Sequence, residues 1–211
     1  MGYLTPIPGF VCVLLPMIFA CDWYVLLLPY AVPRLTIHRY NRDDFENNMN
    51  NALRRRDLIK IKDYYSRSPS SGLFILEYGD RFVGLIAVDA SQDSTSREVI
   101  ISADSKAKVS YTKGTSDVAV IRHFHVEDAF RVAGIQTDLL QFALRHLFEK
   151  SSKVNTVKAV EFPLVSYVGK TLRKEGFKKE SVFDKVGSLR WERNMMALDR
   201  ETWEKRTKSK S

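Results

Sequence analysis

The stretch that most constrains this chain runs from Gly9 to Val32, GFVCVLLPMIFACDWYVLLLPYAV, which is 24 residues with a single charge, Asp22. About 20 apolar residues suffice for a helix to cross the hydrocarbon core of a bilayer. A single spanning helix here would be kinked at Pro16 and Pro29, and would hold Asp22 at depth against a cost of about 3 kcal/mol. The alternative is a re-entrant hairpin that turns near Cys21-Asp22-Trp23, with arms too short to span separately. A cleaved signal peptide fits poorly, because no positive region precedes the run and prolines interrupt it. A buried core helix fits poorly too, because no polar solvent face is visible. Residues 1–33 therefore read as a membrane segment anchored by 9–32.

Its flanks orient it. All 33 Lys and Arg follow Pro33, beginning with Arg34, Arg39, Arg42 and Arg54 to Arg56. The positive-inside rule puts the remainder in the cytosol, and the endoplasmic reticulum is the expected membrane.

Residues 34–198 are long enough for one domain with a real core. The net charge of +8 permits an anionic membrane, a phosphate-rich cofactor or nucleic acid as partner. Zinc-finger spacing, aromatic RNA-binding motifs and repeats are absent from the sequence, so nucleic acid is not expected. Both cysteines, Cys12 and Cys21, lie in the apolar run, and the histidines lack zinc spacing, so no metal is expected.

Alternation predicts a strand at 35–40 (LTIHRY), followed by a helix that breaks and resumes to about Tyr65. LFILEY (73–78), Gly79-Asp80 and FVGLIAVD (82–89) predict a hairpin. Residues 91–117 read as a polar insertion, with a short strand at 99–101. VAVIRHFHV (118–126) is a strand that carries His123 and His125 on one face. Residues 136–150 form an amphipathic helix with Leu139, Leu140, Phe142, Ala143, Leu147 and Phe148 inward. A strand (157–162), a helix (167–175) stopped by Gly176, and two strands (178–183, 188–195) follow. Residues 199–211 read as a charged, frayed tail. The fold class is α/β (α+β), a mixed sheet flanked by helices on both faces.

The most informative join is HFHVEDAFRVAGIQTDLLQFAL (123–144), a strand followed by a glycine-containing turn that opens a helix. Backbone N–H groups at such a helix start, with its dipole behind them, suit a pyrophosphate. Here the chain resembles the GNAT N-acetyltransferases. Their phosphate loop reads Gln/Arg-x-x-Gly-x-Gly/Ala, and Arg131 and Gly134 match its first two fixed positions. Val83-Gly84 in the hairpin and Gly176-Phe177 after the late helix extend the likeness over about residues 35–196. Membrane-bound acetyltransferases acting on cysteine conjugates or lumenal lysines are similar around residues 57–89.

The resemblance implies acetyl-CoA as cosubstrate. Phe124, His125 and Val126 are then backbone partners of its pantetheine arm, and Arg131, Val132, Ala133, Gly134, Ile135 and Gln136 are the phosphate turn. It also implies a base for the acceptor amine. His125 and Glu127, which share strand parity, are the leading pair, with His123 and Asp128 as further candidates.

Three positions depart from the family pattern. Gln136 replaces a small residue of the loop. Val165 and Leu172 stand where the late helix often carries Asn and Tyr, and Tyr167 lies at another helical phase. The alternative is a non-catalytic accessory protein of the endoplasmic-reticulum membrane. It would resemble the fungal proteins that assist a phosphate permease, compare LRKEGF (172–177) and ETW (201–203).

Overall fold

The computed structural model describes residues 53–96, 112–187 and 189–210, with a few helical positions between 42 and 51. The apolar run 9–32, the strand expected at 35–40 and the one expected at 99–101 lie outside the described residues. Among the described residues no helix is long and apolar enough to cross a membrane. The chain divides into two compact units at Glu46/Asn47. In the first, Arg42 and Glu46 pair one helical turn apart.

The second unit opens with two short helices, α1 (Arg56–Ile59) and α2 (Ile61–Tyr65), broken at Lys60 (φ −128, ψ 64). Next come β1 (Gly72–Tyr78), β2 (Arg81–Ser91) and β3 (Thr115–Val126), then α3 (Asp128–Arg131) and α4 (Ile135–Lys150). β4 (Thr156–Glu161), α5 (Ser166–Lys174), β5 (Lys178–Val186), β6 (Trp191–Asp199) and α6 (Arg200–Lys210) complete it. The six strands form one mixed sheet in the order β1-β2-β3-β4-β6-β5, in which only the β3–β4 pair is parallel.

One face of the sheet packs on α4 through Ile86, Val88, Ala119, Ile121, Val126, Val157 and Leu198. The buried stripe of α4 is Leu139, Leu140, Ala143, Leu144, Leu147 and Phe148. Phe142, expected inward, is 53% exposed and meets the Phe74 ring edge-on at 5.1 Å. Leu144 takes the inward place, because positions 140, 144 and 147 lie one turn apart on one stripe.

The C-terminal segment is not frayed. Arg200 donates to the carbonyls of Phe148 (3.0 Å), Ser151 (2.6 Å) and Val154 (2.7 Å), so it caps the end of α4. Trp203 packs on Phe148 at 4.8 Å between ring centroids. The expected polar insertion also begins as ordered structure. β2 runs to Ser91, and Ser94 Oγ donates to the Val118 carbonyl at 2.7 Å.

Candidate functional site

The parallel pairing of β3 and β4 spans only Val118–Ile121 against Thr156–Ala159. β3 continues to Val126, so beyond Ile121 its β4-facing edge is no longer bonded to β4. At the same point β3 carries a bulge against β2. Ala87 pairs with His123 and Val88 with Ile121, leaving Arg122 as the extra residue. A bulge shifts side-chain parity by one. Ala119 and Ile121 face the aliphatic core before it, and Phe124 and Val126 do so after it. His123 and His125 are thereby turned to the opposite face.

That face is polar. Asp57 of α1 is 3% exposed, and its Oδ2 lies 2.6 Å from His123 Nε2 and accepts from Tyr65 Oη at 3.3 Å. Burial pushes the Asp57 carboxyl up, but the hydrogen bond from His123 and the charges of His123, Arg122 and Arg55 outweigh it. The group is held below the ordinary carboxylate value. Tyr65 is pushed well above its usual value by burial and by the Asp57 charge.

Beside it, Asp89 is fully buried and accepts from Tyr64 Oη (2.8 Å), Arg67 (3.2 Å), Arg122 (3.2 Å), and Ser91 N–H and Oγ. Burial pushes the Asp89 carboxyl up, but the Ser91 and Tyr64 hydrogen bonds and the Arg122 charge hold it low.

His125 and Glu127 do meet, at 3.4 Å, but both are about half-exposed, and His125 stacks on Phe82. Asp128 pairs with Arg131 instead. Among the described residues no group of three or more His, Cys, Asp or Glu could hold a metal.

The unpaired edge of β3 is engaged by two side chains. Val126 N–H donates to Tyr167 Oη at 3.2 Å, and its carbonyl accepts from Arg131 Nε at 2.7 Å. The Arg131 guanidinium lies 4.0 Å over the Tyr167 ring. Strand residues alternate the edge to which their backbone points, so Phe124 shares the edge of Val126. His125 points the other way. A Cβ on Gly84 of β2 would lie 2.6 Å from the His125 carbonyl oxygen. Of the three expected backbone partners, Phe124 and Val126 point to the open edge and His125 to β2.

Tyr167 lies at a helical phase other than that of the family's tyrosine, yet its hydroxyl reaches this edge. Leu172, at the family's tyrosine position, is fully buried.

Past the edge lies the turn. Gly134 has φ 81, a left-handed conformation that favours glycine, and nothing stands within 4 Å of its would-be Cβ. Val132 is 96% exposed, Ala133 is exposed, and Ile135 and Gln136 begin α4 half-buried. Gln136 Oε1 is buried without a hydrogen-bond partner. Open space over Gly134, the N–H groups opening α4 and the nearby guanidinium of Arg131 fit a pyrophosphate. The Val126 edge carries backbone groups of the kind that pair with an amide chain, here engaged by Tyr167 and Arg131.

The family model for the acetyltransferase (GNAT) family matches residues 35–162, more than half of the chain. The chain belongs to the GNAT acetyltransferase family. Its cosubstrate is accordingly acetyl-CoA. No curated protein matches by sequence.

Among solved structures, the fold is similar to the ribosomal-protein-S5-alanine acetyltransferase of Vibrio fischeri. The TM-score is 0.50 at 11% identity, over 69% of this chain and 70% of that one. A Streptococcus pneumoniae GNAT acetyltransferase gives 0.49 at 9% identity, over 65% and 71%. Mycobacterium smegmatis RimJ, in complex with CoA-disulfide, gives 0.45 at 19% identity, over 62% and 54%.

Proposed function

We propose that this GNAT domain transfers the acetyl group of acetyl-CoA to an amine where β3 and β4 part. The observation that carries the reading is the unpaired β3 edge leading directly into the Gly134 turn at the start of a long helix. The amine nitrogen attacks the thioester carbonyl carbon, a C–N bond forms and the C–S bond breaks. A backbone N–H on the open edge, for which Phe124 is suited, stabilises the oxyanion. Tyr167 Oη stands at the same edge and can give its proton to the leaving thiolate. His125 and Glu127 lie half-exposed at the rim and are candidates to take its proton.

A second reading is favoured by Val126, whose N–H and carbonyl are both engaged by the chain's own side chains, and by the buried Gln136 Oε1 in the loop. In that reading the domain is a non-catalytic accessory of the endoplasmic-reticulum membrane, assisting a transporter such as a phosphate permease. Calorimetric titration of the full chain with acetyl-CoA separates the two. Saturable binding supports the transferase, and no heat at millimolar cofactor supports the accessory.

In both readings residues 9–32 tether the domain to the membrane on its cytosolic side. The apolar run and the Lys and Arg that follow it support this. Retention of the full chain in membranes after alkaline carbonate extraction is expected, and release to the supernatant argues against the tether.

A further inference from the structure

We infer that His123, held by Asp57, is the base that deprotonates the acceptor amine, with Asp57 as its positioning residue. The inference rests on the transferase reading. His123 lies just beyond Ile121, the last residue of β3 paired to β4, so it stands where the strands part, on the face opposite α4. Its side chain is 20% exposed, open enough to meet a substrate, while the Asp57 side chain behind it is 3% exposed.

The 2.6 Å contact occupies Nε2 with the carboxylate. Nε2 therefore carries the hydrogen, and Nδ1 keeps the lone pair that accepts a proton. A buried carboxylate fixes the tautomer and steadies the imidazolium that forms. Tyr65 Oη donates to the same Asp57 oxygen and fixes the carboxylate in turn. His125 has a longer contact, at 3.4 Å, to a half-exposed Glu127, where water competes for both groups.

The proton balance closes. The amine loses one proton to His123 Nδ1 as the C–N bond forms, and the thiolate gains one from Tyr167 Oη or water. The charged and titratable groups around the pair are Arg55 and Tyr65 on its helical side, Arg122 and His125 on β3, and Tyr64 and Asp89 beside Tyr65.

The test is steady-state acetyl transfer to an amine by the full chain, with acetyl-CoA binding measured in parallel. His123→Gln, whose amide can still donate to Asp57, is expected to lower kcat about 100-fold with cofactor affinity unchanged. Asp57→Asn would present an N–H to Nε2 and leave Nδ1 protonated, the wrong tautomer. It is expected to cost a similar factor in kcat with acetyl-CoA affinity unchanged. His125→Gln is expected to cost less than either.

A melting temperature of Asp57→Asn well above the assay temperature excludes unfolding as the cause of a loss, and Asp57→Glu should restore part of the rate. Normal cofactor binding with turnover unmoved by Asp57→Asn, or a larger loss from His125→Gln, overturns the relay alone. Absence of acetyl-CoA binding in the wild type overturns the transferase reading and the relay with it.

Discussion

The two faces of the sheet are built from different materials. The face under α4 is aliphatic, with Ile86, Val88 and Leu198 of the sheet buried against Leu140, Leu144 and Leu147 of the helix. The face under α1 and α2 holds two neighbouring hydrogen-bonded groups, Tyr64, Arg67 and Arg122 on Asp89, and Tyr65 and His123 on Asp57. Burying charge is costly unless every charge is partnered, and an aliphatic core needs no such accounting. The difference teaches where to look. Burial free energy comes mainly from the α4 face, and the histidine–carboxylate pair lies on the other.

Several changes would break or sharpen that contrast. Gly134→Trp should abolish acetyl-CoA binding by calorimetry while the far-UV circular dichroism spectrum stays unchanged. Unaltered affinity would remove the turn from the cofactor site.

Asp89→Ala should cost about 3–5 kcal/mol in denaturant unfolding, because Arg67 and Arg122 keep their charge beside a vacated carboxylate. A loss below about 1 kcal/mol would mean that the polar face contributes little to folding. Leu144→Ala should cost about 2–5 kcal/mol through the cavity it leaves.

The acid limit follows from the carboxylates. Asp57 and Asp89 are both held low in the folded state. A depressed carboxyl contributes stability that is full above its unfolded value, near pH 4, and is lost as pH falls through the folded value. The stability gap between wild type and Asp89→Asn should therefore stay constant from neutral pH to about pH 5 and narrow below about pH 4. A gap independent of pH would contradict the assignment. The smallest effect is expected at Phe142, where half-exposure should limit Phe142→Ala to about 1 kcal/mol.

Much of the architecture was legible in periodicity. The hairpin 72–91, the strand ending at Val126 and the helix 135–150 follow from alternation, turn residues and a helical apolar stripe. The candidate site was legible in part. The glycine turn announced itself through Gly134, but the orientation of the histidines did not.

Alternation counted from Ala119 and Ile121 would send His123 and His125 into the aliphatic core. One bulged residue, Arg122, reverses that, and nothing local in the sequence marks it. Asp57 is hidden in the sequence because its partner lies 66 residues away, and Tyr167 because its helical phase differs from that of the family's tyrosine. The capping of α4 by Arg200 is likewise a long-range contact, invisible in a tail that reads as charge and serine.

The central claim is that acetyl-CoA lies along the unpaired edge of β3 and into the turn that opens α4. Amide chemical-shift mapping of the full chain, in detergent and with isotope labelling, tests it most directly. Titration with acetyl-CoA should move Phe124, Val126 and Gly134 to Gln136 most, with Val126 changing as Tyr167 and Arg131 let go of its backbone. Shifts centred elsewhere on the domain, with Val126 and Gly134 unmoved, would contradict the account.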